Sequence, residues 1–156
     1  MNESNTEWKI DISSIHQNNS IRSEQHSLEN LNYHFSVDVL ENPKKLFFYI
    51  HYSLIKGQYY GSTVIYIKNK NEEKSHQFEL LFPIKSDGKR KLQIPIQLDD
   101  LINPSNGWVH DNNSILFSVT LNIDKSNFTD QTYKIIDHTL HQHSIEGVFT
   151  ISSFKN

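Results

Sequence analysis

Residues Ser114 to Ile123 set the tightest limit on what this chain can fold into. Ile115, Phe117, Val119, Leu121 and Ile123 fall on every second position. Ser114, Ser118, Thr120 and Asn122 fall between them, with Leu116 the one apolar exception. A step of two sends each set to its own face of a pleated strand, so one face is buried and the other meets water. The same rhythm returns at Leu92, Ile94, Ile96 and Leu98. Pro95 lies on the opposite face there and has no N–H for a ladder bond, which predicts an edge strand or a bulge. Asn103-Pro104-Ser105-Asn106-Gly107 between the two runs is dense in turn formers. The stretch from Leu92 to Ile123 is therefore expected to run strand, loop, strand. An edge strand next to a well-buried one is a frame to which an extended peptide can be added.

The rest of the chain repeats this pattern in shorter pieces. Trp8, Ile10 and Ile12 alternate in a first strand, and Phe35, Val37 and Val39 in a second that stops at Asn42-Pro43. Leu46 to Leu54 is apolar on both faces, as a central strand would be. Thr63 to Lys68 is rich in β-branched residues, and His76 to Phe82 is a strand ended by Pro83. Gln17 to Ser20, Lys56 to Gly61, Asn69 to Ser75 and Ser86 to Gly88 read as turns or loops, and Ser27 to Asn32 as a loop or one weak helical turn. No window carries a sustained helical period with caps. The expected fold class is all-β, an antiparallel β-sandwich of about seven to eight strands. Residues 1–5 would be an N-terminal extension and residues 6–124 the sandwich. Residues 125–156 would be a polar tail, in which Tyr133 to Ile136 and Val148 to Phe154 could add one or two strands.

Composition narrows the function classes. A length of 156 residues suits one domain, and aromatic residues at 12% compensate in buried area for an apolar share of only 36%. A formal charge of −3 gives no global basic field to draw nucleic acid or anionic lipid. The absence of cysteine excludes disulfides, thiolate metal sites and a cysteine nucleophile. The start, MNESNTEWK, lacks the basic and apolar regions of a secretory leader, and no apolar run is long enough to span a bilayer, so the expected location is cytoplasmic.

Several ordered pieces resemble the MATH domain, the TRAF-like β-sandwich family, over roughly residues 6 to 124. Trp8-Lys9-Ile10 resembles the opening W-x-I strand, and Ile21-Arg22-Ser23 the I-x-S that follows. Leu46-Phe47-Phe48-Tyr49-Ile50 resembles the L-S-L-Y-L central strand. Ile67-Lys68-Asn69 with Glu72-Glu73 resembles the I-x-N strand end and its charged loop. Asp100-Leu101 to Asn106-Gly107, then Trp108-Val109 and Asp111, resembles the family's D-L to N-G to D-D segment. The resemblance implies a non-catalytic, adaptor-type module that binds a short linear peptide of a protein partner along one sandwich edge. It places the peptide-binding positions on Tyr49, Ile65, Phe82, Lys89, Arg90 and Leu92. Many members carry W-G-F where this chain has Arg90-Lys91-Leu92, which exchanges two aromatic contacts for two charges.

Other constellations point less sharply. Lys89-Arg90-Lys91 is either a charged edge that resists aggregation or a selector of acidic or phosphorylated peptides. His138, His141 and His143 have offsets that could share a divalent metal, but a polar tail is the plainer reading, and no metal or cofactor is expected. Asp87, Asp99, Asp100 and Asp111 suit turns; an alternative function, a C2-like sandwich binding calcium or membrane lipid, would need them to converge. No spaced Ser, His and Asp motif indicates an enzyme. Tyr59-Tyr60, Trp8 and Trp108 are expected to pack rather than to recognise a ligand. No heptad region supports a trimer.

Overall fold

Alternation of apolar and polar residues puts most of the described residues into strands. The structure, a computed structural model, describes residues 2–17, 19–40, 44–125, 133–139 and 147–150. In chain order the elements are β1 (Asn2–Asp11), α1 (Ile12–Gln17), β2 (Ser20–Arg22), β3 (His26–Leu28), β4 (Leu31–Leu40), β5 (Lys45–Leu54) and β6 (Tyr59–Ile67). There follow β7 (His76–Ile84), β8 (Gly88–Ile94), α2 (Leu98–Ile102), β9 (Val109–His110), β10 (Ser114–Asp124), β11 (Lys134–Asp137) and β12 (Gly147–Thr150). Glu72–Lys74 and Pro104–Asn106 form single 3-10 turns.

The strands pair antiparallel in two sheets. The larger has the order β1-β10-β6-β7-β11-β12, with β9 also on β10; the smaller has the order β2-β4-β5-β8, with β3 also on β4. Their apolar faces meet. Ile10, Phe117, Val119, Leu121, Ile65, Phe78, Leu80 and Phe82 come from the larger sheet; Tyr33, Phe35, Phe48, Ile50, Leu92 and Ile94 come from the smaller, and all are buried. Phe48 stacks on Phe35 at 5.7 Å and on Phe117 at 6.1 Å, which ties the layers together. The protein is an all-β antiparallel sandwich. Among the described residues no helix is long and apolar enough to cross a membrane.

Several expectations need correction. The runs ending at Leu98 and Ile123 do not lie side by side: β8 is in the smaller sheet and β10 in the larger. Their connection holds α2 and β9, enough chain to cross between layers. β8 is the outermost strand on its side of the smaller sheet among the described residues, and it ends at Ile94, just before Pro95. The Leu92–Leu98 alternation hides the start of α2, whose Leu98 and Leu101 are both buried. Residues 2–5, expected to be an extension, continue β1 along β10 from Asn2↔Ile123 onward. A polar strand needs only backbone partners, and Asn5 Nδ2 adds a 2.5 Å bond to Thr120 Oγ1. Ser27 to Asn32 is neither loop nor helical turn: β3 folds straight back onto β4 through a turn in which Glu29 has φ of 56°. β7 runs through Pro83 to Ile84, since β11 pairs with β7 only as far as Leu81 and asks nothing of the proline nitrogen.

Candidate functional site

The outer face of the smaller sheet gathers polar and aromatic side chains that no core needs. Phe48, Ile50 and Tyr52 of β5 point inward, so Phe47, Tyr49 and His51 point outward, where each is half-buried. Register brings rows across the sheet. His34 of β4, His51 and Lys89 of β8 form one; Ser36, Tyr49 and Lys91 form the next; Asp38, Phe47 and Gln93 form a third. β2 adds Arg22 opposite Ser36.

The contacts within these rows are close. The His34 and His51 rings stack at 4.4 Å with a 4° interplanar angle, and Tyr49 stacks on His51 at 5.6 Å. Lys89 Nζ lies 5.3 Å from the centre of the Tyr49 ring, and Lys91 Nζ lies 5.4 Å from that of Phe47. Such cation–π contacts hold the ammonium groups over the rings. Arg22 Nη2 is 3.0 Å from His34 Nε2. A guanidinium only donates, so Nε2 accepts and this imidazole is neutral. Ser36 Oγ is 2.8 Å from His51 Nε2, and Ser20 Oγ donates to Asp38 Oδ1 at 2.7 Å. Burial lowers the pKa of both histidines, helped at His34 by Arg22 and at His51 by His34 and Lys89. Burial and Asp38 raise that of Tyr49. Ser36 is 2% exposed, so its hydroxyl fixes the imidazole and is out of reach as a nucleophile.

The six residues expected to bind a peptide do not share one exposed surface. Tyr49 and Lys89 stand on the outer face. Ile65 and Phe82 are both 0% exposed and Leu92 is 5% exposed, all inside the sandwich. The reason is parity. Leu92 alternates with the outward Lys91 and Gln93, while Ile65 and Phe82 share their faces with the buried Ile67 and Ile84. The basic run splits in the same way: Lys89 and Lys91 face out, and Arg90 faces in.

Arg90 instead shuts the side of the sandwich between β7 and β8. Its guanidinium carbon is 5.8 Å from the Phe82 ring centre and 5.3 Å from that of Tyr133. Tyr133, 4% exposed, donates its hydroxyl to the Lys91 carbonyl. Burial drives the phenol pKa up against the opposing pull of Arg90. The Lys91 carbonyl thus points away from β5 toward the tail. The border of β7 is itself covered, because β11 pairs with Phe78 to Leu81. β11 falls where Tyr133 to Ile136 suggested a strand and β12 covers the start of the Val148 to Phe154 stretch, whose residues 151–154 lie outside the described residues; β11 occupies one edge that a partner strand would need.

The remaining candidates have structural roles. Asp87 Oδ1 accepts the Leu54 amide at 2.8 Å, Asp99 and Asp100 sit in the first turn of α2, and the Asp111 carbonyl accepts from Ser114 Oγ. His138 Nε2 is 3.4 Å from Glu79 Oε1; His141 and His143 lie outside the described residues. Among the described residues no three metal-ligating side chains converge. Tyr59 is a core residue, and Trp108 is buried beside His76. None of Arg22, His34, Ser36 and His51 was expected as a binding residue. The signal available was that His34, Ser36 and Asp38 alternate with Phe35 and Val37. No family model matches this sequence, and no curated protein matches it.

Proposed function

We propose that this chain is a non-catalytic protein-interaction module that docks a short acidic segment of a partner protein, in the manner of a MATH-type adaptor. The docking surface is the outer face of the β2-β4-β5-β8 sheet, bounded by β8. One observation carries the reading: Phe47, Tyr49 and His51 form a half-buried ring ladder with Lys91 and Lys89 held over it. Flat rings give a segment apolar contact at low entropy cost, and the adjoining cations select negative side chains. Strand addition along β8 is restricted, because Tyr133 already engages the Lys91 carbonyl. The face is therefore favoured over the edge.

Calorimetric titration of acidic and neutral peptides into the wild type and a Lys89→Ala/Lys91→Ala variant tests this. Acidic peptides should bind the wild type more tightly, and the variant should lose that preference. Equal weak binding of all peptides to both proteins would end the reading.

A further inference from the structure

We propose that Arg22, His34, His51 and Lys89 form a subsite for a single phosphoryl group on the docked peptide. This rests on the interaction reading above and names the group that the face selects. The residues come from β2, β4, β5 and β8, the consecutive strands of the smaller sheet. Arg22 is turned onto His34 Nε2 at 3.0 Å, a donor-only group held against a lone pair. When His34 takes up a proton this bond is lost, and two cations face each other across the same gap. An oxyanion between them accepts from both, and the guanidinium fork fits two phosphoryl oxygens at once. His51, stacked 4.4 Å away, gains from the same anion. Lys89, leaning over Tyr49, brings a further positive charge from the next strand.

The surroundings favour a phosphoryl group over a carboxylate. The charged or titratable groups facing the imidazole pair are Arg22 from β2, Asp38 from β4, Tyr49 from β5, and Lys89 and Lys91 from β8. Asp38 is the acid among them, and its Oδ1 already accepts from Ser20. A phosphoserine carries about −1.5 to −2 charges and three acceptor oxygens, against one charge for a glutamate. It can serve a guanidinium, an imidazolium and an ammonium together. Binding should therefore take up protons. Affinity should rise as pH falls through the imidazole range, until the phosphate itself protonates near its second pKa of about 6.

The test uses the full chain and three short Asp/Gly/Ser peptides: one with a single phosphoserine, its unphosphorylated twin, and a twin with glutamate at that position. Calorimetry at about pH 6 and about pH 7.5, in buffers of differing ionisation heat, gives affinity and proton uptake on the approach to the lowered imidazole values and well above them. The phosphoserine peptide should bind roughly 10-fold more tightly than its unphosphorylated twin, with net proton uptake. Arg22→Gln, on an exposed side chain, and His51→Gln should each reduce it to the level of the glutamate twin. Equal binding of phosphorylated and unphosphorylated peptides would overturn the subsite, as would an advantage that survives in both variants. So would binding of phosphoinositide vesicles without binding of the phosphopeptide. If the subsite fails but the acidic twins still bind through Lys89 and Lys91, the interaction reading stands; if no peptide binds, both fall.

Discussion

Replacing Tyr133 by Phe removes one oxygen from the seam that joins the tail to β8. The hydroxyl is buried and donates to the Lys91 carbonyl, while the ring packs against the Arg90 guanidinium. Phe keeps the ring and most of its packing, so the loss is one hydrogen bond plus part of the cost of a poorly satisfied carbonyl, about 1–2 kcal/mol. For a chain of this length that corresponds to a fall in Tm of roughly 3–6 °C. Tyr133→Ala adds the loss of the ring and should cost about 3–5 kcal/mol. The pH dependence provides a second check. Burial raises the phenol pKa above 10.0, so the folded state favours the neutral form. That contribution is complete below the unfolded-state value and is lost as pH rises through the folded-state value. The gap between wild type and Tyr133→Phe should therefore narrow above about pH 10. Thermal melts and amide hydrogen exchange read both effects, and exchange in β8 and β11 should quicken together in the Phe variant. A variant as stable as wild type, with β8 exchange unchanged, would refute the idea that Tyr133 holds the tail to that strand.

Gly107 has φ of +86°, and a Cβ there would lie 2.5 Å from Asn69 Oδ1, so Gly107→Ala should destabilise by about 2–4 kcal/mol in denaturant unfolding. Phe82 belongs to the core: Phe82→Ala should cost about 3–5 kcal/mol, while Phe82→Leu should keep peptide affinity unchanged once folded, as calorimetry on both would show. His34 and His51 have lowered pKa values, so their contribution is complete above the unfolded-state value of 6.5 and is lost as pH falls through the folded-state values. His34→Gln/His51→Gln should flatten the acid-side loss of stability in melts across about pH 7 to 5, leaving the share due to His76, whose pKa is also lowered.

The strands were legible because period two is a local signal. Phe35, Val37 and Val39, or Ile115 through Ile123, show which face is buried without any knowledge of partners, whereas Pro95, read as an edge or bulge residue within a strand, lies just past the end of β8. Sheet membership was not legible, since nothing in Leu92–Ile96 or Ile115–Ile123 says which layer each joins. The ladder of residues 2–5 was hidden because backbone pairing leaves no apolar trace. The site suffered most. Arg22, His34 and His51 meet only through the β2–β4–β5 register, a long-range property of separated segments. Ile65, Phe82 and Leu92 share strand parity with the core-facing Ile67, Ile84 and Ile94, a pattern visible in the sequence that places them inside.

Chemical-shift mapping of an acidic peptide titrated into the isotope-labelled chain probes the proposed docking surface directly. Concerted shifts are expected at Arg22, His34, Phe47, Tyr49, His51, Lys89 and Lys91, with the β1-β10-β6-β7 outer face unmoved. Shifts confined to that opposite face, or to the Arg90–Tyr133 seam, would contradict it.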